Sequence, residues 1–444
     1  MPAGVREKRN VEARQLNPLP VTGPMPSLDW MTDANRTALT FRYERWRALA
    51  SGVLEAAGGT FLLLIAVRWF HAGDIAKALV AAGGSFGLML GPWVVAQVQT
   101  LRWRTSLAAA RLMWFGAGWL VLMTIWPVLP VFVLGSIIAM TTASAAIPLM
   151  TQIYQENYPE HQRGKLFSRA FMIRIAAAAA FSEIAGRLLS GHMERFQWLL
   201  SVFAVAFAFA GFCVVKIPSQ PLTASGGTHP FRALRFVRDD ALFRRTLVMW
   251  MIMGFANLMI GPLRIEYLAN TKHGLTWDGQ SLTTAQIALL VGVIPNLARL
   301  VMSPIWGWLF DRMNFFVLRI LLNTGFALGM LSFFGGDHFA WLIAGAIIYG
   351  ISNAGGDVAW SLWVTKFAPP ERVADYMSVH VFFTGLRGVL APVVAFQLIA
   401  HWSVSAISWL GAGMIFVATL ILIPEIKAGR GAKRAAALTE EVSE

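Results

Sequence analysis

Cysteine and charge are both scarce in this chain of 444 residues. Cys213 is the single cysteine, so no disulfide can form within the chain. Only 14% of the residues are charged, whereas a water-soluble domain carries about 25%. The shortage of charge excludes an ordinary water-soluble domain and favours a chain whose solvent is largely lipid.

Sequence signatures of enzymes are also missing. The chain has no Gly-x-x-x-x-Gly-Lys-Ser/Thr loop for holding nucleotide phosphates. Its eight histidines form neither a His-Glu-x-x-His pair nor a cluster with cysteine. We therefore expect no catalytic residue, no metal and no cofactor. The first 40 residues lack the apolar stretch of a signal peptide, so we expect none to be cleaved.

Long apolar segments dominate what is present. The chain is 56% hydrophobic and its mean hydropathy is +0.57. A helix needs about 20 apolar residues to cross the roughly 30 Å hydrocarbon core, and it satisfies its own backbone hydrogen bonds there. The sequence predicts an all-α polytopic membrane protein with twelve transmembrane helices, at 47–70, 75–98, 105–126, 128–153, 170–190, 196–216, 246–269, 283–309, 315–335, 338–364, 374–400 and 402–424.

The basic residues are distributed unevenly between the two sides of the predicted bundle. The net charge is +13, and 27 of the 37 lysines and arginines fall on the side that holds both chain termini. Because basic loops stay in the cytoplasm, both termini are predicted to be cytoplasmic. The same bias explains the net charge without a nucleic acid partner. A multi-pass protein of a bacterial cytoplasmic membrane, acting as a monomer, is the expectation.

The longest internal gap divides the predicted helices into two sets of six. The sequence "HPFRALRFVRDDALFRR" at 229–245 places apolar residues near helical spacing with arginines between them. This pattern predicts an amphipathic helix on the inner leaflet, the alternative being a solvated basic loop. The predicted organisation is a tail at 1–46, a bundle at 47–216, a linker at 217–245, a second bundle at 246–424 and a tail at 425–444.

Two landmarks recur at nearly one offset. The second helix ends in "GPWVVAQVQTLRWR" at 91–104, and the eighth ends in "SPIWGWLFDRMNFF" at 303–316, 212 residues later. "YPEHQRG" at 158–164 and "APPERVA" at 368–374 follow the fourth and tenth, at an offset of 210. The order and spacing predict two six-helix halves related as parallel repeats.

With these landmarks the chain resembles the major facilitator superfamily of secondary transporters. The Gly-x-Leu-x-Asp-Arg loop of that family is matched after helix 8 and its Pro-Glu-x-x-Arg-Gly loop after helix 4, by Gly307, Leu309, Asp311, Arg312, Pro159, Glu160, Arg163 and Gly164. A shorter version after helix 10 comprises Pro370, Glu371 and Arg372. The resemblance covers about 45–424 and implies a rocker-switch transporter. It further implies that Asp311 latches onto the start of helix 11 near Arg372.

The first half departs from the family pattern. It has Gln99 and Thr100 where the second half has Asp311 and Arg312. We therefore predict a latch in the second half alone. Gly307, Asp311, Arg312, Arg163 and Arg372 are the predicted gating residues.

Ionisable residues within the apolar segments are the candidate binding residues. A charge in the hydrocarbon is costly, so each is a functional candidate by default. Glu55 in helix 1 and Asp357 in helix 10 lie about 12–14 Å deep by helical rise. The family resemblance implies that both helices line the cavity. The two carboxylates could bind protons or solute, or could form structural ion pairs, and Asn353 lies one turn from Asp357.

Four arginines also fall within the segments. Arg174, Arg299 and Arg387 lie near mid-membrane by helical rise, and Arg111 is close enough to an end to reach the surface. Their planar guanidinium groups suit carboxylate or phosphate, although pairing with an inner carboxylate is the alternative. If all four point inward, the cavity carries net positive charge and favours an anionic or zwitterionic solute.

The sequence therefore predicts a secondary active transporter for a small polar, possibly anionic solute, coupled to protons through Asp357 or Glu55. Two alternatives stay open. A flippase for lipids or lipophilic molecules could use the same fold, and so could a membrane sensor or assembly partner that transports nothing.

Overall fold

Helices account for almost all of the described chain. The computed structural model describes residues 32–221, 234–277, 279–336, 338–366 and 373–426. Within these residues the bundle contains twelve helices, which we number in chain order: α1 Asp33–Arg68, α2 Asp74–Thr100, α3 Thr105–Ile125, α4 Leu129–Asn157, α5 Glu160–Leu189, α6 Phe196–Val215, α7 Ala241–Ala269, α8 Thr284–Arg312, α9 Phe315–Phe333, α10 Phe339–Leu362, α11 Val373–Leu398 and α12 Val404–Leu422.

Eleven of these helices are long and apolar enough to cross a membrane, counted over the described residues. The twelfth, α5, has 30 residues, so its length of about 45 Å is more than enough to cross. It carries Arg174, Glu183 and Arg187, which lower its apolar character. The predicted all-α membrane fold is confirmed.

Each half of the bundle packs in the same way. In the first half α1 packs on α5 and α6, α2 on α4, and α3 on α4 and α6. In the second half α7 packs on α11 and α12, α8 on α10, and α9 on α10 and α12. Each contact of the first half therefore has its counterpart six helices later, which is the parallel repeat that the sequence landmarks predict. The halves meet mainly where α2 packs on α11 and where α5 packs on α8.

The bundle has two ends that differ in what they carry. We call the side where α1 begins and α12 ends the tail side. The opposite side, the hairpin side, carries a short antiparallel hairpin between α7 and α8. Its strands, β1 (Thr276–Trp277) and β2 (Gln280–Ser281), pair Thr276 with Ser281 and Trp277 with Gln280. The positive-inside prediction makes the tail side cytoplasmic.

Three helices are interrupted near the middle of the bundle. A π-helical turn occupies Ala57–Phe61 in α1 and another occupies Leu289–Val293 in α8. The two turns contact each other across the boundary between the halves. α4 is interrupted at Ala146, before Pro148, because proline cannot supply a backbone donor to the helix. π-turns are frequent at functional sites, and these two lie beside the residues described below.

Several predicted boundaries differ from the observed ones. α1 begins at Asp33 rather than 47, because Thr32 caps it by accepting a hydrogen bond from the Asn35 amide at 3.3 Å. The linker helix comprises only Arg235–Asp239, and α7 begins at Ala241 instead of 246. Phe236 of the linker is buried and stacks on Tyr376 of α11, with ring centroids 4.9 Å apart. Residues 1–31, 222–233 and 427–444 of the predicted tails and linker lie outside the described residues.

Candidate functional site

Four of the predicted binding residues meet at the boundary between the halves. Arg174 of α5 donates to Glu55 of α1, with Nε and Oε2 2.5 Å apart. Arg299 of α8 donates through Nη1 to the other oxygen of Glu55. It also donates through Nε to Asp357 of α10, with Oδ2 2.5 Å away. We call these four residues, Glu55, Arg174, Arg299 and Asp357, the central quartet.

The quartet is an alternating chain of charges that crosses from one half to the other. Glu55 and Arg174 belong to the first half, and Arg299 and Asp357 to the second. The Glu55–Arg299 pair joins the two halves. Two guanidinium groups and two carboxylates cancel, so the quartet is neutral when all four are ionised. The predicted net positive charge is therefore not observed at this place.

Close packing of α1 on α5 positions the first pair. A Cβ at Gly52 of α1 would lie 2.5 Å from the carbonyl oxygen of Arg174, so only glycine allows the helices to approach this closely. Glu55 follows within one turn and therefore faces α5. The π-turn that begins at Ala57 comes directly after this turn of helix.

Exposure differs among the four side chains. Arg174 is 39% exposed, Asp357 32% and Glu55 20%, while Arg299 is 9% exposed. Arg299 is therefore the buried centre of the quartet, and its two carboxylate partners remain accessible. An accessible carboxylate can exchange a guanidinium partner for a proton or a solute without the helices moving apart.

Two neighbours of the quartet escape sequence analysis. The Phe171 ring of α5 lies 5.2 Å from the Arg299 guanidinium and 5.5 Å from that of Arg174. Asn296 accepts a long hydrogen bond of 3.4 Å from Arg299 Nη1. Each lies three residues before an arginine on the same helix, and this spacing is the only signal in the sequence. Predicted Asn353 is half-buried one turn before Asp357 and forms no hydrogen bond with the described residues.

Arg387 does not join the quartet. It lies on α11 and donates to the backbone carbonyl of Trp250 on α7. Arg111, the fourth arginine, stacks on Trp103 with its Cζ 4.0 Å from the ring centroid. Glu183 pairs with Arg187 one turn along α5. The predicted set of inward-pointing charges therefore separates into a central group of four and residues elsewhere.

Three of the predicted gating residues, Gly307, Asp311 and Arg312, lie at the tail-side end of α8. Asp311 is exposed, and none of the described residues forms an ion pair with it. Arg312 lies over the Trp308 ring at 4.6 Å, and Gly307 is half-buried. Arg372 lies outside the described residues, and the structure describes the backbone of Arg163 but not its side chain. The latch between Asp311 and α11 therefore stays a prediction.

The hairpin-side ends of the halves are joined by a second polar contact. Lys77 of α2 donates to Glu266 of α7 at 2.9 Å, and the two side chains are 4% and 0% exposed. Asp74 accepts from Lys77 at 2.9 Å, and Asn270 and Lys272 approach the same Glu266 oxygen at 2.7 and 3.4 Å. We call this group the hairpin-side cluster.

The end of α1 strengthens this closure. Arg68 donates to the carbonyl oxygen of Leu282, before α8, at 2.9 Å. Between residues described on both sides, every hydrogen bond or ion pair that joins the halves lies at the quartet or nearer the hairpin side. Sequence analysis offered no reason to single out Lys77, because its partner is 189 residues away.

Comparisons with known proteins agree with this architecture. Residues 265–442 match the model of the Major Facilitator Superfamily. The nucleoside transporter NupG superposes with a TM-score of 0.67 at 12% identity, over 88% of this chain and 99% of that one. A POT family transporter in complex with a thioalcohol-conjugated peptide gives a TM-score of 0.67 at 14% identity, over 88% and 96%.

The human organic anion transporter MFSD10 is also similar, with a TM-score of 0.62 at 12% identity over 88% and 100% of the two chains. The chain has the major facilitator fold. The fold expected from the family resemblance is confirmed, and the protein is an integral, multi-pass membrane protein. No curated protein matches the chain in sequence. The quartet lies at the boundary between the two halves of this fold, which is where folds built from repeats place their binding sites.

Proposed function

We propose that this protein is a secondary transporter that moves a small, charged polar solute, with protons as the coupling ion, by alternating access of its two halves. The observation that carries the proposal is the central quartet, which links the halves through the Glu55–Arg299 pair. Burying an ionisable group at this depth costs free energy, so each such residue is a candidate for function by default. Similar folds in the nucleoside, peptide and organic anion transporters support the class of function.

The quartet offers binding groups of both signs. A carboxylate on a solute can take the place of Glu55 or Asp357 on Arg299, whose planar guanidinium donates hydrogen bonds to two oxygens side by side. The displaced carboxylate then has one cation fewer in a partly buried site, and binding a proton relieves that cost. Solute and proton thus replace one ion pair together. This exchange gives the coupling between the two fluxes.

The described state is closed on the hairpin side. Lys77–Glu266 and Arg68–Leu282 hold the halves together there. To release solute on the hairpin side, the protein must break these contacts and close the tail side. The family resemblance assigns that closure to Asp311 at the start of α11. The positive-inside prediction places the hairpin side, which these contacts close, away from the cytoplasm of a bacterial cell.

The test begins with a search for the solute. The purified full chain is heated with a panel of amino acids, peptides, nucleosides, sugar acids and organic anions, and the compounds that raise the unfolding temperature are carried forward. Each is then offered to proteoliposomes with an imposed pH gradient, and uptake is measured. We expect uptake that depends on the gradient and falls in Asp357→Asn.

A matched control removes a carboxylate that lies outside the quartet. Glu183→Gln on α5 leaves the central residues intact and loses only a pair with Arg187 on the same helix. Uptake by this variant should match that of the wild type. Equal uptake by Asp357→Asn, Glu55→Gln and Glu183→Gln would remove the quartet from the transport mechanism.

A further inference from the structure

A second polar group, of two arginines and a histidine, lies inside the second half, apart from the quartet. Arg319 of α9 and Arg387 and His380 of α11 surround Trp250 of α7. The Arg319 Cζ is 3.9 Å from the Trp250 ring centroid, and the His380 ring centroid is 5.3 Å from it. Arg387 donates to the Trp250 carbonyl. We call Trp250, Arg319, His380 and Arg387 the buried arginine cluster.

All of its polar side chains are removed from solvent. Arg319 and His380 are 0% exposed, and Arg387 is 8% exposed. In the quartet, by contrast, three of four charged side chains are at least 20% exposed. Water therefore solvates the quartet in part but has no comparable access to this cluster.

The cluster lacks a counter-charge. Neither Arg319 nor Arg387 forms a salt bridge with a described residue. Arg319 donates one hydrogen bond, to the Met253 sulfur at 3.0 Å, which is a weak acceptor. Several nitrogen atoms are buried without a partner in the part of the chain that the structure describes: Arg319 Nε and Nη1, Arg387 Nε, Trp250 Nε1, and both ring nitrogens of His380.

Two buried cations with unsatisfied donors are unfavourable unless negative charge reaches them. Taking a guanidinium out of water costs more than a few dipolar contacts return. The Trp250 ring and carbonyl supply partial charges, which reduce that cost without cancelling it. Unpartnered buried polar groups in a native protein call for an explanation, and a bound ion is one of the standard explanations.

We propose that the buried arginine cluster binds a small inorganic anion of halide size, such as chloride. The unpartnered nitrogens of the arginines and of Trp250 are N–H donors. A halide accepts hydrogen bonds from any direction and itself needs no acceptor. The tight burial favours a monatomic ion over sulfate or phosphate, which need more room. One anion would reduce the net charge of the two arginines and satisfy several N–H groups at once.

A glycine keeps this site open to Arg387. Gly254 follows Trp250 by one turn of α7, and a Cβ there would lie 2.6 Å from Arg387 Nε. The guanidinium can therefore rest against the α7 backbone only while this position lacks a side chain. Gly254→Ala should displace Arg387 and weaken the anion site without removing any charge.

The test measures the thermal unfolding of the purified full chain as the anion is varied. Sodium gluconate keeps the ionic strength constant while chloride, bromide, acetate or sulfate replaces it. For the wild type we expect the unfolding temperature to rise with chloride and bromide and then saturate, because a ligand that binds the folded state stabilises it. Acetate and sulfate should produce little change.

Three variants locate the effect. Arg319→Met and Arg387→Met should lose the halide-dependent rise, and Gly254→Ala should shift it to higher concentrations. Arg111→Met is the matched control, since Arg111 is an exposed arginine on α3 that stacks on Trp103, and it should keep the full rise. Crystals soaked in bromide should show anomalous density between Arg319 and Arg387, a result that does not depend on any variant folding.

Two results would overturn the proposal. One is a wild-type unfolding temperature that is the same in chloride, bromide and gluconate. The other is a halide effect of equal size in Arg319→Met, Arg387→Met and the wild type. None of these readouts involves solute uptake, so the proposed transport function is tested separately.

Discussion

Arg174 and Arg387 occupy matching places in the two halves and have opposite surroundings. They lie 213 residues apart, close to the repeat offset of 212, on α5 and α11. Each faces the first helix of its own half. Arg174 meets the Glu55 carboxylate of α1 and is 39% exposed, whereas Arg387 meets a backbone carbonyl of α7 and is 8% exposed.

The difference shows how one packing arrangement can serve two purposes. An arginine with an accessible carboxylate partner can exchange that partner for a solute, because both separated groups can still reach water. A buried arginine without a carboxylate has no such freedom, and its positive charge persists until an anion arrives. In the proposed mechanism the first half therefore contributes an exchangeable ion pair to the quartet, and the second half holds the proposed anion site.

The largest expected effect comes from removing the centre of the quartet. Arg299→Met leaves Glu55 and Asp357 without their shared cation and breaks the ion pair between the halves. Arg299 is also the proposed partner of the solute carboxylate, and loss of about 2.8 kcal/mol of binding free energy lowers affinity about 100-fold, so we expect solute uptake to fall by about 100-fold. Initial uptake rates in proteoliposomes measure this fall. A rate within twofold of the wild type would show that Arg299 is structural only.

The next prediction contrasts the two matching arginines through stability. Arg174→Met leaves Glu55 with one cation fewer and should destabilise the protein by about 1 kcal/mol, a small value because the pair is partly exposed. Arg387→Met removes an uncompensated buried charge. In halide-free buffer it should stabilise the protein by about 1–3 kcal/mol. Denaturant unfolding of both variants measures the difference, and shifts of the same sign would contradict the contrast.

Charge balance within the quartet supplies a third prediction. Glu55→Gln leaves Arg174 without its carboxylate, and adding Arg174→Met removes the stranded cation. The double variant should therefore be more stable than Glu55→Gln alone, by about 1 kcal/mol. Neither should transport. A double variant less stable than both single variants would indicate that the two residues act independently.

Opening of the hairpin side is a fourth prediction. Glu266→Gln removes the buried carboxylate that Lys77 of the other half contacts. We expect a larger fraction of molecules with separated hairpin-side ends. Spin labels at positions 72 and 277, in a protein with Cys213→Ser, report this distance. Lys272→Met, which alters an exposed member of the same cluster, should leave the distance distribution unchanged.

The smallest expected effect is on pH dependence. Burial and the nearby Lys272 lower the pKa of His273, whose Nε2 lies 3.9 Å from Glu266 Oε1. A histidine with a lowered pKa contributes stability above its ordinary value of about 6.5, and this contribution is lost as the pH falls through the folded-state pKa. The unfolding temperature should thus decrease below about pH 6.5. His273→Gln should reduce that decrease in unfolding temperature. An identical pH profile for the variant and the wild type would show that His273 does not cause it.

The fold was largely predictable because apolar length and loop charge are local properties. Every predicted apolar segment corresponds to a helix of the bundle. The boundaries at α1 and α7 were missed because the polar stretch before Arg47 and the residues Ala241–Arg245 are helical without being apolar. Hydropathy detects lipid-facing residues and does not detect helix capping by Thr32 or Asp240.

The quartet was predictable residue by residue but not as pairs. Rarity of charge in apolar segments identified Glu55, Arg174, Arg299 and Asp357, while their partners depend on contacts 58 to 244 residues apart. The same criterion placed Arg387 with them, because helical depth alone does not specify which face of α11 it occupies. The same criterion missed Arg319, because it lies in the first turns of α9 near a loop, although its side chain is fully buried.

The most direct test of the quartet as the coupling centre is simultaneous measurement of solute uptake and proton entry in one proteoliposome preparation, with a pH-sensitive dye inside. For the wild type and for Glu183→Gln, the two fluxes should rise together in a fixed ratio. For Glu55→Gln, proton entry driven by the solute should disappear. Solute-driven proton entry by Glu55→Gln and Asp357→Asn in the wild-type ratio would contradict the account.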